Sequence, residues 1–282
     1  FFSQLSYSNS WAIKGSLWNS SLKSFENVKT TPFFKKVLLR IILNLVCTNN
    51  GDNNIIHLPF ILHHTLSPLD EKCNYRKANE DYRVFLYESL KKIDSNTDFS
   101  NIESISILPN SVDYRLHWSV PKSTLTSVII PTRDSLPILK RCIDSINNFN
   151  PGSPIEIIII DNDSTEKSTL KYLNLFKNSS TSNVIHKLLK FKGDFNYSLM
   201  NNKAVECSSG NVLLFLNNDT EFISNNWCKE LSSNALRKGV GCVGAKLFYP
   251  DLETLQHAGV ILGIGGVAGH SHKYFKNSKK IK

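Results

Sequence analysis

Three polar clusters in the second half of the chain carry the residue types that bind a charged ligand, and each closes an apolar run. Thr126-Ser-Val-Ile-Ile-Pro131 leads into Thr132-Arg133-Asp134, Ile155-Glu-Ile-Ile-Ile-Ile160 into Asp161-Asn162-Asp163, and Gly210-Asn-Val-Leu-Leu-Phe-Leu216 into Asn217-Asn218-Asp219. A run with no polar face reads as a buried strand, so the last of these delivers Asp219 to the carboxyl end of a rigid element. A carboxylate there is suited to holding a divalent cation against a phosphate. A competing reading makes Asn217, Asn218 and Asp219 a polar turn, because such side chains hydrogen-bond their own backbone. Asp161 and Asp163 are also two carboxylates one residue apart, and spacing alone does not choose between the two clusters; Asp163 equally suits a helix cap.

The elements that must position these clusters alternate. After the first strand, Asp134 or Ser135 can cap a helix with apolar face Leu136, Leu139, Ile143, Ile146 and Phe149, stopped by Pro151-Gly152. The second strand's polar end, 161–165, can cap a helix carrying Leu170, Leu173 and Phe176. A third strand is expected at Val184 to Leu189, then a helix from Tyr197 to Cys207 with Gly210 just past its end, then the strand to Asp219. Strands separated by helices imply βαβ units and a parallel sheet. Right-handed crossovers put the three polar clusters on one edge, where ligand crevices form, and this weakens the turn reading of Asp219.

Composition narrows the class. A chain of 282 residues, 41% hydrophobic and 20% charged, can bury a core as one large domain or two smaller ones. The net charge of +9 is spread along the chain, with one cluster at Lys276, Lys279, Lys280 and Lys282. No basic helix is interleaved with stacking aromatics, which argues against a nucleic-acid partner and leaves attraction to anionic ligands or membrane headgroups. The cysteines at 47, 73, 142, 207, 228 and 242 include no C-x-x-C pair, so a reducing, cytoplasmic setting is expected. The apolar run from Val37 to Cys47 contains Arg40 and falls short of the roughly 20 residues that span a bilayer. Phe1 opens the sequence and Met200 is its one methionine, so a piece of a longer protein, or a processed chain, is expected.

The first half is less regular. A helical pattern follows Pro32, and Ile55 to His64 reads as a short strand ending in His63 and His64. Adjacent side chains on a strand point to opposite faces, so these two do not share a metal and a structural role is expected. Tyr82, Phe85, Leu86 and Leu90 recur at helical spacing, and Ile102–Leu108 with Val112–Trp118 reads as a hairpin. Pro121 marks the expected domain boundary.

Val128-Ile-Ile-Pro-Thr-Arg-Asp134, Ile157-Ile-Ile-Ile-Asp-Asn-Asp-Ser164, Phe195-Asn-Tyr-Ser198, Asn201-Asn202, Leu213-Leu-Phe-Leu-Asn-Asn-Asp-Thr220, Val243-Gly-Ala-Lys-Leu247 and Gln256-His-Ala-Gly-Val260 stand in one order. Over about residues 125–275 this order resembles the family 2 glycosyltransferases, most closely the rhamnosyltransferase-like branch that builds bacterial surface polysaccharides. The resemblance implies an α/β GT-A fold: a Rossmann-like, mostly parallel sheet with flanking helices, incomplete at its C-terminus and preceded by a small α+β region. It implies that Pro131, Thr132, Arg133, Asp161 and Asn217 contact the nucleotide, and that Asn217-Asn218-Asp219 takes the D-x-D place with Asp219 as ligand to Mn²⁺ or Mg²⁺. Asn202, His257, His270 and His272 are candidate donor or acceptor contacts. The catalytic base is expected beyond the chain end.

The same resemblance implies an inverting, metal-assisted transfer from a UDP- or dTDP-linked sugar to a glycan or lipid-linked acceptor, at the inner face of the membrane with peripheral association. The alternative is a non-catalytic nucleotide-sugar-binding module or an inactive fragment. Gly263 to Gly269 formally matches G-x-G-x-x-A, but no helix and no acid follow it as a dinucleotide site requires, so a flexible loop beside the sugar pocket is expected. By the family's pattern, residues 1–66 read as the tail of an upstream domain, 67–122 as a helix-plus-hairpin connector and 123–282 as the nucleotide-sugar-binding domain.

Overall fold

The computed structural model describes residues 83–88, 90–91, 101–107, 114–181, 184–263 and 266–276. They belong to two units, one of residues 1–119, 249–255 and 274–282, the other of 120–248 and 256–273. The strand expected at Ile55 to His64 and the helix expected after Pro32 lie outside the described residues.

In the first unit, residues 83–88 and 90–91 are helical. Leu86 and Leu90, one turn apart, are buried against an antiparallel pair, β1 (Ile102–Ile107) and β2 (Tyr114–Trp118). Ile102, Ile105, Tyr114 and Trp118 complete that small core. The pattern was legible because β2 alternates and β1 does so from Ser104 on; a register irregularity between Ile102 and Ser104 lets both Ile102 and Ile105 face the core.

In the second unit β3 (Thr126–Thr132) leads to α1 (Leu136–Asn148), β4 (Ile155–Asp161), α2 (Lys167–Phe176), β5 (Val184–Lys190), α3 (Tyr197–Glu206) and β6 (Val212–Phe215). These strands form one parallel sheet in the order β5-β4-β3-β6. Every residue of β3 and β4 is buried, as expected where helices cover both faces. Val128, Ile130, Ile155, Ile157 and Ile159 face Leu139, Cys142, Ile143 and Ile146 of α1, Leu173 and Phe176 of α2, and Trp227 and Cys228 of α4 (Trp227–Ala235). The alternate residues Ile129, Ile158 and Ile160 face Met200 and Ala204 of α3. The α/β class with a parallel sheet therefore follows from the period-two packing of two aliphatic runs.

Four local expectations are corrected. β6 is the edge strand of the sheet and is not wholly buried: Leu213 and Phe215 are 38% and 47% exposed. The Ser135 side chain makes no capping bond to α1, nor does Asp163 cap α2. Instead the Asp134 carboxylate crosses to the start of α2, accepting from the backbone N–H of Thr165 and Glu166, both at 2.8 Å. In the stretch expected as a loop, Ala268–His270 (β10) pairs antiparallel with Val260–Leu262 (β9); before them come the short paired strands β7 (Leu247–Phe248) and β8 (Leu255–His257).

At the amino edge of the sheet sits a charge that the apolar pattern hid. Glu156, in the middle strand β4, has no exposure; its Oε1 accepts from Ser127 Oγ of β3 and from the N–H of Ser209 and Gly210, and Lys187 Nζ of β5 lies 2.7 Å from Oε2. Gly210 is required there, because a Cβ would fall 2.5 Å from Ser127 Oγ and 2.7 Å from Leu125 O. Burial pushes the Glu156 carboxyl up, but the bonds from Lys187, Ser127 and Ser209 outweigh it and hold the group below the usual carboxylate range. A depressed pKa stabilises the fold above the unfolded value, roughly 4.3 for Glu, and the stabilisation is lost as pH falls through the folded value. Urea unfolding should show Glu156→Gln less stable than wild type by about 2–4 kcal/mol at neutral pH. At pH values below the folded pKa that gap should close.

Candidate functional site

The opposite, carboxyl edge gathers the polar clusters. Thr132 at the end of β3 is in register with Asp161 at the end of β4, which is in register with Lys190 of β5. Beyond β6 the chain stays beside β3, with Leu216 N donating to Ile129 O at 2.9 Å, and Asn218 Nδ2 then donates to Thr132 Oγ1 at 3.0 Å. Thr220 donates to the Asn217 carbonyl through both N–H and Oγ1. The cluster is therefore a turn and also a wall, since Asn217, Asn218 and Asp219 line one side of a cleft of about 500 Å³.

The other lining residues are Pro131, Thr132, Arg133, Asn162, Phe195 and Tyr197. Among these lining residues Asp219 is the one carboxylate and Arg133 the one full cation. Phe195 and Tyr197 stand 67% and 42% exposed, so two aromatic rings are presented to solvent beside the cleft. α3 is anchored at the same place by its cap, Asn196, whose side chain accepts from Leu199 N.

Sequence reasoning missed Asn162. It is fully buried, and its Nδ2 donates to the carbonyls of Gly193 at 3.0 Å and Phe191 at 3.5 Å, which fixes the orientation of the amide. Its Oδ1 is buried and has no hydrogen-bond partner among the described residues. The neighbouring Asp161 drew attention for its charge, but its Oδ1 accepts from Ser164 N at 3.0 Å and it does not line the cleft. Phe195, Tyr197 and Asn218 were quoted within motifs and were given no role; exposed rings next to a strand end were the signal available.

Of the remaining candidates, Asn202 is exposed on α3 and outside the lining residues. His257 and His270 are brought to each other, Nδ1 to Nδ1 at 3.0 Å, and neither they nor His272 line the cleft. Asp134 holds the β3–α1 turn to the start of α2, and the N–H of Glu166 keeps its carboxyl below the usual range, with burial opposing and Thr165 adding. Cys142 lies behind the cluster; burial, with the charges of Asp219 and Glu221, pushes its thiol up to about 12. It is a neutral packing residue at physiological pH and no thiolate nucleophile.

Among the described residues no three His, Cys, Asp or Glu side chains come together to hold a metal unaided. Asp219 offers hard oxygen at the cleft, and Asn217 and Asn218 line it as well. That donor set suits a cation completed by water and ligand phosphate.

A parallel α/β sheet whose strand ends meet in an open polar cleft defines a ligand-binding domain of the Rossmann-like kind. The family described as glycosyl transferase family 2 matches residues 127–278, more than half of the chain, and the chain belongs to that family. It is 42% identical over 197 residues, 69% of its length, to the uncharacterized protein y4gI of Sinorhizobium fredii. It is 37% identical over 164 residues, 57% of its length, to the O-antigen biosynthesis protein RfbC of Myxococcus xanthus. The chain spans 20% and 12% of those two proteins. Among solved structures it is similar to the mannosyltransferase PcManGT of Pyrobaculum calidifontis in complex with GDP-Man and Mn²⁺, with 14% identity, a TM-score of 0.38, and 61% and 46% of the two chains covered. It is also similar to S. aureus TarS in complex with UDP, with 22% identity, a TM-score of 0.30, and 36% and 29% covered.

The Asn162 amide makes a local prediction. In Asn162→Asp a carboxylate oxygen replaces the Nδ2 donor and faces the carbonyls of Gly193 and Phe191. Thermal unfolding should show a loss of about 1–3 kcal/mol at neutral pH. The loss should shrink at acid pH, where the protonated carboxyl donates again.

Proposed function

We propose that this chain is the donor-binding part of a glycosyltransferase acting on a nucleoside-diphosphate sugar. The observation that carries the reading is the composition of one cleft: Asp219 and Arg133 as its charges, Asn162 with an unpaired acceptor, and the exposed rings of Phe195 and Tyr197. A diphosphate needs a cation and hydrogen-bond donors; a base needs a flat face and a matching edge. The cleft offers both.

In this reading Arg133 faces the diphosphate, and Asp219, with Asn217, holds Mn²⁺ or Mg²⁺ against it. Bound there, the ion stabilises the charge that develops on the departing diphosphate. Thr132, fixed by Asn218, and Pro131 form the floor under the nucleotide. Asn162 Oδ1 is the acceptor for a ring N–H, as on uracil or thymine, so UDP- and dTDP-linked donors fit. That oxygen is shielded, so the base displaces part of the cleft wall to reach it. Asp161 acts beneath, holding the turn that carries Asn162.

An inverting transfer also requires a base to take the acceptor hydroxyl proton. No residue lining the cleft is free for that once Asp219 holds the ion, so in this reading the base comes from outside the lining residues. The polysaccharide role in the name of the Myxococcus relative supports a glycan or lipid-linked acceptor and, with the motif order, the rhamnosyltransferase-like branch. A nucleotide-sugar-binding module without turnover is the second reading, favoured by a cleft with a single carboxylate.

Calorimetry with UDP and with dTDP tests the donor site. Binding should be at least about tenfold weaker in EDTA than with Mn²⁺, and Asp219→Ala should abolish that difference. Asn162→Ala should weaken binding with and without metal. Metal-independent binding unchanged in Asp219→Ala would overturn the assignment.

A further inference from the structure

We propose that Ser145 of α1 is a positioning residue for Asp219, the metal ligand of the proposed donor site, acting through the backbone of the loop that follows β6. The inference rests on the donor-site reading above and adds to it a residue outside the cleft. Ser145 is buried, and its hydroxyl is used twice: Oγ donates to Cys142 O at 2.7 Å and accepts from Phe222 N at 3.0 Å. A hydroxyl has one proton and two lone pairs. With the proton given to the preceding turn of its own helix, the rotamer is fixed and a lone pair faces the loop. Serine inside a helix competes for backbone bonds and adds little to helix stability; the use of this one lies outside the helix.

The loop it meets runs between two anchors. Asn218 Nδ2 donates to Thr132 Oγ1 of β3, and further on Phe222 N reaches Ser145 Oγ of α1. Asp219, Thr220 and Glu221 bridge the interval. Cys142 Sγ adds a long contact to Asn217 O at 3.9 Å, and Thr220 Oγ1 closes on the same carbonyl. The Phe222 ring stacks on Trp227 with centroids 3.8 Å apart, which holds the side chain but not the peptide plane between Glu221 and Phe222. The Ser145 bond fixes that plane.

Two further observations single out this bond. β6 pairs with β3 from Val212 to Phe215, and beyond the bond from Leu216 N to Ile129 O the ladder no longer guides the chain. On the outer side of the loop Arg141 and Glu221 approach to 3.6 Å, but both side chains are more than half exposed, so solvent screens the pair. The buried bond at Ser145 is thus the contact from α1 that restrains the backbone carrying Asp219. An ion held by one carboxylate depends on where that carboxylate stands, and groups that orient a ligand from behind typically change metal affinity by about 10–100-fold.

The Mn²⁺ affinity of the UDP complex, read by calorimetry and by the EPR signal of free Mn²⁺, tests this. In Ser145→Ala it should fall by about tenfold, while UDP binding in EDTA stays within about twofold of wild type. Ser145→Thr keeps the hydroxyl and should restore most of the affinity, which a role in helix packing alone would not give. Arg141→Ala should stay within about twofold of wild type, because its pair is screened; an equal loss there would assign the effect to charge and overturn the role of Ser145. A thermal melt checks each fold, and Ser145→Cys, similar in size and only a weak acceptor, carries the same expectation where the alanine variant does not fold. Unchanged Mn²⁺ affinity in the folded variant overturns the assignment, and so does an equal loss in EDTA. Asp219→Ala, run in parallel, separates the two readings. Metal dependence that Asp219→Ala removes and Ser145→Ala leaves intact sinks the Ser145 anchor alone, whereas UDP binding without metal dependence in the wild type overturns both.

Discussion

One buried carboxylate sets the frame of the sheet. Glu156 sits in β4 and takes hydrogen bonds from β3 through Ser127, from the turn entering β6 through Ser209 and Gly210, and an ion pair from β5 through Lys187. Lys187 in turn donates to Cys207 O and Ser209 Oγ at the end of α3. The aliphatic cores on both faces drive collapse, yet a run of isoleucines packs almost as well when slipped by two residues. A charge whose partners lie on three neighbouring elements does not tolerate a slip, because burying it unpaired costs several kcal/mol, on the order of 3–5. Specificity of register is thus what the ion pair contributes, more than net stability.

Register at the amino edge becomes geometry at the carboxyl edge. With Ser127 beside Glu156 and Glu156 beside Ile185, the strands run level until Thr132, Asp161 and Lys190 end side by side. The Asn218–Thr132 bond then ties the loop after β6 to that line. β6 itself pairs with β3 over four residues and has no strand on its outer side among those described. The cleft therefore has one deeply supported wall, from β3 and β4, and one wall held by an edge strand and by side-chain bonds to β3 and α1. Asp219 stands on the second.

How far the sequence foretold this depends on whether a feature is local. The fully buried strands β3 and β4 were legible because both faces are aliphatic, and α1 because Leu139, Ile143 and Ile146 repeat at helical spacing. β6 misled: Leu213 to Leu216 is as apolar as a central strand, and only the strand order shows that it lies at an edge. The caps misled for another reason. Asp134 follows β3 and precedes α1, so local spacing pairs it with the nearest helix, whereas the fold carries it to the start of α2 across 31 residues. Asn162 was passed over because chemistry was sought in charge. Its importance lies in a geometric accident of the chain, two carbonyls from residues 191 and 193 that consume its donors and leave an acceptor behind.

Under the proposed function, that leftover acceptor bears on how the cleft would discriminate among bases. A buried acceptor without a donor costs the fold about 1–3 kcal/mol, and the fold retains this cost in the absence of ligand. A base that brings an N–H to Asn162 relieves it, whereas a base presenting a lone pair at that point adds repulsion to an unmet need. Polar sites of this kind reject the wrong partner more strongly than apolar pockets do, because the penalty falls on the protein as well as on the ligand. In that reading the rings of Phe195 and Tyr197 are tolerant of any base, and the diphosphate contacts are blind to it. In the proposed donor site, the choice between bases with and without a ring N–H therefore rests on one amide, whose orientation is fixed because its Nδ2 already bonds two backbone carbonyls.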